Sequence, residues 1–432
     1  MFEHMNFIVN FNNADYSDII IPYEDKKVLR DLAKKVAELA SLPKMDEKKK
    51  LWIDHNKLKK TRPVLLCDPE NGWNELITDD QILCENSISR HWECHLRKQI
   101  FWGKETNDDY VVEPYFDCPH IFKITSWGVR ESNHTATAKV RLEDGGAYHI
   151  DTILENYSRL KDVTESNLII DYKLSEIVLN IAHEIFDNIL KVRLKTWWFF
   201  SVGLTDDFVF LRGMENFMLD MYDHPDKFHE LMNMIFTNTM KRLDYLEDNH
   251  LLTLNNDGSF VGSGGMGFSD ELPGTNFTGN VTTRGMWGCA ESQVSIGVSP
   301  EMFKEFIFPY QKKLMERFGL TCYGCCEPLD ERVDIVKAVK NLRRISVSPW
   351  ANREVMAEKL KHNYIYSAKP APSYLAVPHM DEKYVRKDIK NILSYAKDTC
   401  LELIMKDNHT LGKNPENLKN WVRIAREEIN IL

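Results

Sequence analysis

Leu320-Thr321-Cys322-Tyr323-Gly324-Cys325-Cys326-Glu327-Pro328 is the stretch from which the fold of this chain is predicted. A short apolar run enters it, and a charged amphipathic segment follows the proline. This order predicts a buried strand that ends in a tight turn and leads into a helix. In barrels and open α/β sheets, the carboxyl ends of the strands carry the chemistry. The alternative is that Cys325 and Cys326 are small buried hydrophobes, as free cysteines often are.

The composition indicates a globular chain with a large core. Of the 432 residues, 43% are hydrophobic, which excludes a disordered or fibrous chain. The formal net charge is −10 with the acidic residues interspersed, which argues against nucleic acid or an anionic membrane as a partner. Nine cysteines without regular spacing do not form a disulfide framework in a chain of this length. No signal peptide or membrane-spanning run is visible, so we expect a cytoplasmic protein with reduced thiols.

Residues 1–60 are predicted to form a helical N-terminal extension, and residues 61–432 a barrel. Residues 25–42 carry apolar side chains at helical spacing, and residues 44–60 are rich in lysine. We expect this extension to be a solvated helical cap or arm. A contact between two copies of the chain in a homodimer belongs to the same structural interpretation, and the alternative is a direct part in the chemistry.

Apolar runs alternate with helical segments from residue 62 to the C-terminus. Eight strands, mostly followed by helices, predict an α/β protein with a (β/α)8 TIM barrel. Residues 121–154 add β-like segments that this scheme does not need. The predicted strands are 64–68, 111–116, 197–204, 251–257, 320–326, 343–349, 364–369 and 401–407. The predicted helices are 214–247, 300–318, 329–339, 352–360, 382–396 and 415–429.

Polar and metal-binding side chains follow the predicted strands, and a barrel would bring them together at one end. Cysteine, histidine and carboxylate are the ligands of zinc, and a catalytic zinc site keeps one position open. We therefore predict metal ligands among Cys325, Cys326, Glu327 and His409. For His409, a helix-capping or hydrogen-bonding role is the alternative. The strand-end set comprises Cys67, Asp68, Asn255, Asn256, Asp257, Cys325, Cys326, Glu327, Ser348, Trp350, Lys369, Asp407, Asn408 and His409.

Glu291, Asp257 and Lys369 are the candidate catalytic groups, as acids, bases or substrate contacts. Glu291 lies within the polar segment WGCAESQ at 287–293, ahead of a predicted helix. A structural salt bridge is the alternative for each of the three. The glycine-rich run GSGGMG at 262–267 follows a strand but opens no helix, which favours an active-site loop over a dinucleotide site.

Several segments resemble the uroporphyrinogen decarboxylase superfamily. The segment GCAESQ at 288–293, with VSPEMF at 298–303 and Pro309-Tyr310 after it, carries one part of the resemblance. FLRGME at 210–215 and MYDHP at 221–225 carry the other. The resemblance extends over residues 62–432 and implies a (β/α)8 barrel, in agreement with the strand count.

The decarboxylase branch of that superfamily has an arginine-rich segment after the first strand, which grips the acidic tetrapyrrole. The corresponding segment here, LCDPENGW at 66–73, has no arginine and two acids. These acids would repel a substrate with many carboxylates. Uroporphyrinogen itself is therefore excluded as the substrate.

The other branch comprises the zinc methyltransferases of corrinoid systems, with a His-x-Cys motif and a distal cysteine. Here the first part falls on Tyr323-Gly324-Cys325 or one residue later, without the histidine, and the distal cysteine falls near Asn408 or His409. If cysteine and glutamate near residue 325 and histidine near residue 409 replaced the family's ligands, a zinc site would be preserved. The resemblance then implies methyl transfer between a small methylated substrate and a corrinoid protein, with zinc as a Lewis acid.

An aromatic methyl ether would suit the many aromatic residues, which would make the protein an O-demethylase component. Asp407-x-His409-x-x-Gly412 matches a corrinoid-binding signature, but 20 residues after it are too few for that domain, so the corrinoid is expected from a partner protein. The alternatives are a lyase or decarboxylase acting on a small substrate on the same barrel, and a non-catalytic binding protein. The aromatic residues in question are Trp197, Trp198, Phe199, Phe200, Trp287 and Trp350.

Overall fold

A computed structural model describes residues 19–125, 127 and 153–431 of the chain. Its central element is a six-stranded parallel sheet in the order β1-β12-β11-β10-β9-β8, which confirms the α/β class. Of the strands that the structure describes, the first and the last are neighbours in this sheet, as they are in a barrel. Residues 1–18 of the predicted extension and most of the predicted insertion at 121–154 lie outside the described residues. The six strands are β1 (Val64–Cys67), β8 (Trp287–Ala290), β9 (Leu320–Tyr323), β10 (Leu342–Val347), β11 (Ile365–Ala368) and β12 (Cys400–Met405).

Three two-stranded sheets accompany the central one. One is parallel and joins β2 to β5, and two are antiparallel, joining β3 to β4 and β6 to β7. The last of these is a short hairpin formed by the glycine-rich run. These strands are β2 (Tyr115–Cys118), β3 (Ile121–Ile124), β4 (Leu168–Asp171), β5 (Lys191–Leu194), β6 (Phe260–Val261) and β7 (Gly265–Met266).

Helices pack on the outer face of the central sheet. Trp421 and Val422 of the last helix belong to the same apolar cluster as Leu403 of β12. In the described parts of the chain, no helix combines the length and apolar character that crossing a membrane requires. The helices are α1 (Tyr23–Ala40), α2 (Pro43–Asn56), α3 (Trp73–Leu76), α4 (Ser87–Phe101), α5 (Tyr172–Phe186), α6 (Thr205–Arg212), α7 (Met214–Asp223), α8 (Pro225–Asp248), α9 (Pro300–Met302), α10 (Phe308–Met315), α11 (Val333–Val336), α12 (Arg353–Leu360), α13 (Glu382–Tyr395) and α14 (Glu416–Ile431).

The two faces of β12 differ in chemistry. Leu401, Leu403 and Met405 pack into the helix-facing apolar cluster. The residues between them alternate to the other face, where the fully buried Glu402 meets charged groups from α2 and β10. The interior enclosed by the sheet is therefore partly charged. The charged side chains continue toward the carboxyl end of β12, where Lys406 is the first residue after the strand.

The described part of the predicted N-terminal extension is helical, as α1 and α2. Its apolar residues, Leu29 and Val36 among them, share one core cluster with Val64 and Leu66 of β1. The indole of Trp52 donates a hydrogen bond of 2.8 Å to the Asp109 carbonyl. These helices therefore pack against the sheet rather than standing in solvent.

The predicted eight-stranded ring is wrong in part, because the segments 197–204 and 251–257 are not strands. Both run beside β8. In the first segment, Val202 N donates a hydrogen bond of 2.8 Å to Cys289 O. In the second segment, the side chain of Asn255 replaces the backbone as the partner of β8: its Nδ2 donates to Trp287 O at 3.0 Å, and its Oδ1 accepts from Trp287 N at 2.9 Å. Because this side-chain amide satisfies the backbone N–H and C=O of Trp287, those groups are not available for strand pairing with the 251–257 segment.

The strand predicted at 111–116 is displaced to Tyr115–Cys118 and pairs with β5, outside the central sheet. The segment 287–290, predicted only as polar groups ahead of a helix, is the edge strand β8.

Candidate functional site

The turn after β9 places two cysteines at the carboxyl end of the sheet. Gly324 has φ +92°, and a Cβ there would lie 2.6 Å from Leu329 Cδ1, so the turn requires glycine. Glu327, fully buried, braces the turn by accepting hydrogen bonds of 2.9 Å from Cys325 N and Ser292 N. The carboxylate predicted as a metal ligand is thus engaged with backbone amides, one on each oxygen.

Cys325 and Cys326 come together with Asp407 to form a three-residue group, here called the thiol cluster. The two sulfurs are 3.6 Å apart, and the Cys326 thiol donates to Asp407 Oδ2 at 3.3 Å. Each residue offers a ligand atom within 4.8 Å of the others. Within the part of the chain that the structure describes, this is the group of metal-binding side chains that meets that distance.

Asp407 reaches the thiols because the backbone turns immediately after β12. Its φ is +61°, in the left-handed region that non-glycine residues seldom occupy and that aspartate tolerates better than most. Such a conformation costs about 1 kcal/mol or more and is common at functional sites. The strained residue is thus one of the three that form the thiol cluster.

The charges around the thiol cluster favour one thiolate. Lys406 Nζ and Ser263 Oγ each donate to Cys325 Sγ at 3.5 Å. The hydrogen bond with Cys326, followed by the charge of Lys406, lowers the pKa of Cys325 to about 6 although burial opposes this. The same sulfur–sulfur contact, with burial, raises the pKa of Cys326 strongly. At neutral pH the two sulfurs therefore hold one proton between them.

Acids and unpaired polar atoms follow the strands β1, β10 and β12 at the same end of the sheet as the thiol cluster. Burial, then the charges of Asp68 and Asp407, raises the pKa of Glu70 to about 7. Within the described residues, Glu70 Oε1, Ser348 Oγ and Asn408 Oδ1 are buried without a hydrogen-bond partner. Buried polar atoms normally have partners, so this end of the sheet has polar groups to spare for a bound species.

Glu291, which follows β8, has the surroundings of a general acid, and in this it differs from the other two predicted catalytic residues. It is buried, and its Oε2 accepts a hydrogen bond of 3.0 Å from Gln293 N. Burial, with the charges of Asp206 and Glu327, raises its pKa well above the usual range. A carboxyl group whose pKa is raised in this way is suited to donate a proton.

The other two predicted catalytic residues lie in different settings. Asp257 binds Lys195 at 2.6 Å and Arg193 at 3.1 Å. Although burial opposes it, these cations lower its pKa to about 2, so it is a charged ion-pair partner at neutral pH. Lys369 is 3% exposed and donates to Ser367 Oγ. Burial, with the charges of Lys406 and Arg344, lowers its pKa to about 8 despite Glu402.

His409 does not join the thiol cluster. Its ring is exposed to solvent, and Nδ1 lies 3.4 Å from Asn71 Nδ2. The left-handed turn at Asp407 explains the difference, since it aims the aspartate at the sulfurs and carries the chain outward two residues later. Trp350, another strand-end residue, is 73% exposed.

Sequence reasoning missed Lys406, Ser263 and Glu70 as neighbours of the thiol cluster. The period of two along β12 could have identified Lys406, because it follows Glu402 and residue 404 on the interior face. Ser263 lies in the glycine-rich run, whose predicted place at an active site agrees with its contact to Cys325. Glu70 follows β1 and has φ +47°, which no sequence pattern indicates.

No model of a protein family and no curated protein matches the chain. Among solved structures, a methyltransferase from Methanosarcina mazei is similar, with a TM-score of 0.45 and 10% sequence identity, over 88% of this chain and 98% of that chain. A likeness at this level says nothing about the reaction.

Proposed function

We propose that this protein is a zinc-dependent methyltransferase, which moves a methyl group between a small methylated substrate and a corrinoid carried by a partner protein. The observation that supports it best is the thiol cluster, in which two cysteine sulfurs and one carboxylate lie within 4.8 Å at the carboxyl end of a parallel sheet. That end of an α/β sheet is where active sites are built.

The donor set of the thiol cluster fits zinc. Thiolate and carboxylate are both zinc ligands, and three protein ligands leave one position for a substrate. Cys325 is already biased toward the thiolate that metal binding requires. When bound, zinc would supply a Lewis acid that makes a substrate oxygen, nitrogen or sulfur a better leaving group.

The chain's own residues would hold the site and supply a proton. Lys406 stabilises the Cys325 thiolate, and Glu327 fixes the loop that carries it. When a methyl group leaves an ether for cobalt(I), the electron pair of the broken carbon–oxygen bond stays on the oxygen, which then needs one proton. Cobalt(I) supplies the pair for the new bond to carbon. Glu291, whose pKa is raised well above its usual range by burial, is the candidate donor of that proton.

Methyl transfer is tested by mixing the protein, purified anaerobically with zinc, with a cobalt(I) corrinoid protein and single methylated compounds. We expect the cobalt(I) absorption to disappear with at least one methyl ether, amine or thioether, with stoichiometric demethylated product. The control is the same mixture with Cys325→Ser/Cys326→Ser. Turnover that persists in this variant would contradict the proposal, as would the absence of turnover over a broad panel of donors and corrinoid proteins.

Lys369 favours a second candidate, a lyase or decarboxylase that acts on a small keto acid. A lysine with a pKa near 8 can condense with a carbonyl to form an imine. Its burial and its bond to Ser367 oppose such access. Under the methyltransferase proposal we expect no mass increase at Lys369 after borohydride treatment with a series of keto acids. A trapped adduct that is absent from Lys369→Met would favour the lyase instead.

A further inference from the structure

Cys325 and Cys326 are neighbours in the chain and also through their side chains. Their sulfurs are 3.6 Å apart, and a disulfide bond requires them to approach to about 2.05 Å. Both thiols belong to the one loop that follows β9, so closing this gap does not require two distant elements to move together. The two thiols that are proposed to bind zinc are therefore also placed to bind each other.

Solvent reaches this pair more readily than most thiols of the chain. The structure describes all nine cysteines, of which Cys94 and Cys326 are half-buried and the others are buried. Cys289 and Cys322 are register partners in β8 and β9. They are covered by the hairpin, since a Cβ on Gly262 would lie 2.5 Å from Cys322 Cβ and 3.8 Å from Cys289 Sγ. A small polar oxidant therefore has better access to the pair at 325–326.

The two thiols of the pair have different surroundings. The ammonium of Lys406 and the hydroxyl of Ser263 each donate to Cys325 Sγ at 3.5 Å. These contacts favour negative charge on Cys325, and a thiolate is the form of cysteine that attacks an oxidant. The Cys326 thiol donates to Asp407 Oδ2 at 3.3 Å and keeps its proton. A reactive thiolate beside a second, resolving thiol is typical of cysteines that respond to oxidants.

A disulfide between adjacent residues is strained. A trans peptide holds neighbouring Cα atoms about 3.8 Å apart, whereas ordinary disulfides have Cα–Cα distances of about 4.4–6.8 Å. Strain of this kind makes the bond easier to reduce, and strained disulfides are the labile and regulatory ones. A bond between Cys325 and Cys326 would therefore form under oxidation and open again with a dithiol.

We propose that Cys325 and Cys326 form a reversible disulfide when the protein meets a hydroperoxide, and that this disulfide switches the metal site off. The consequence for activity rests on the proposed methyl transfer. The formation of the disulfide does not, and it can be measured without any methyl donor or corrinoid protein.

The chemistry takes two steps. The Cys325 thiolate attacks one peroxide oxygen, so a sulfur–oxygen bond forms, the oxygen–oxygen bond breaks and hydroxide leaves. The Cys326 sulfur then attacks the Cys325 sulfur, and the sulfur–sulfur bond forms as the sulfur–oxygen bond breaks. The departing hydroxide takes the Cys326 proton, which Asp407 can pass on, and becomes water. Each sulfur loses one electron and each peroxide oxygen gains one. The oxidised pair has no thiolate left for zinc.

The test begins with the zinc-loaded protein and hydrogen peroxide, which is removed before denaturation, alkylation and tryptic digestion. The tryptic peptide 318–332 contains Cys322, Cys325 and Cys326. We expect this peptide to lose the mass of two hydrogen atoms and to accept one alkyl group instead of three. Dithiothreitol before alkylation should restore all three, and about one zinc ion should leave per disulfide formed. Three free thiols after peroxide, or irreversible oxidation of Cys325, would overturn the inference.

Variants assign the two roles. In Cys326→Ser the resolving thiol is missing, so Cys325 should remain a sulfenic acid and form an adduct with dimedone. Cys325→Ser should give neither the adduct nor the disulfide. Cys94→Ser removes the other half-buried thiol and should form the disulfide as the native protein does. A disulfide that joins peptide 318–332 to peptide 285–304, which carries Cys289, would show a different pair and contradict the proposal.

The disulfide and the methyl transfer can fail separately. Once peroxide is removed, the oxidised protein should transfer methyl groups at least about tenfold more slowly and recover with dithiothreitol and zinc. Native protein that forms the disulfide but transfers no methyl group would refute the proposed function and leave the disulfide standing. Native protein that transfers methyl groups but keeps both thiols in peroxide would do the reverse.

Discussion

Cys325→Ser/Cys326→Ser is expected to lose bound zinc, from about one ion per chain to less than about a tenth. Methyl transfer should fall about 1,000-fold or more, since the loss of several kcal/mol of Lewis-acid stabilisation has that effect on a rate. The physical reason is that serine offers a neutral hydroxyl in place of a thiolate. Metal content by mass spectrometry, with circular dichroism to show an intact fold, provides the measurement.

Three further variants test which side chains bind the metal. Cys94→Ser removes a half-buried thiol on α4, away from the cluster, and should keep the full metal content. Asp407→Asn and His409→Ala separate the carboxylate found at the sulfurs from the histidine predicted by sequence. We expect the first to weaken zinc binding and the second to leave it unchanged. If His409→Ala lost the metal and Asp407→Asn kept it, the cluster would not be the site.

Five strands of the central sheet could be predicted from the sequence because both of their faces are buried. β1, β9 and β11 are short and mainly apolar, and β10 and β12 carry their charged residues among apolar ones. Each was predicted within a few residues of its observed bounds. The helices α12, α13 and α14 were predicted for the same reason, as their apolar stripes face that sheet.

The open side of the ring could not be predicted, since its structure depends on single side chains. β8 has the sequence Trp-Gly-Cys-Ala, and glycine weakens the strand signal. The runs beside it look like strands, but Asn255 replaces the backbone ladder with its own amide. The helix predicted at 214–247 breaks at His224, because Pro225 begins a new helix and disfavours helical geometry in the residue before it.

The sequence predicted which loop carries the candidate site, but it did not predict which side chains come together there. The position of Cys325 and Cys326 after a strand follows from the apolar run that precedes them. The choice between Asp407 and His409 depends on one left-handed φ at Asp407, which sequence does not reveal. The roles of Lys406 and Ser263 depend on which strands become neighbours, a property of the whole fold.

A second large effect is expected from Glu402→Gln, deep in the sheet interior. Glu402 is fully buried and faces two cations, with Arg344 Nη2 at 3.2 Å and His55 Nε2 at 3.0 Å. Removing one charge of such a network leaves the others buried without compensation, which costs about 3–5 kcal/mol. We expect that loss in the free energy of unfolding, measured by urea denaturation.

Two variants test this explanation. Glu382→Gln breaks an exposed pair with Arg423 at 2.9 Å and should cost less than about 1 kcal/mol. Arg344→Met added to Glu402→Gln removes an uncompensated cation, so the double variant should recover part of the lost stability. If the double variant were less stable by the sum of the two single losses, the charge network would not be the cause.

The pH dependence of stability follows from the same network. Burial opposes the charge of His55, but Cys400 and Glu402 outweigh it and raise its pKa from 6.5 to about 9. Its contribution is therefore complete below pH 6.5 and lost as the pH rises through 9. Arg344 and His55 hold the pKa of Glu402 well below its usual 4.5 despite burial, so its contribution is present above pH 4.5 and lost in acid.

These two shifts predict greatest stability from this network between pH 4.5 and 6.5. The native protein should lose ~1–3 kcal/mol of unfolding free energy from pH 6.5 to 9. In Glu402→Gln this decline should be shallower, because His55 has lost its carboxylate partner and less of its raised pKa remains. An equally steep decline in both proteins would show that groups other than this pair cause it. Loss of the proton from His55 would then be excluded as the cause of the decline in stability between pH 6.5 and 9.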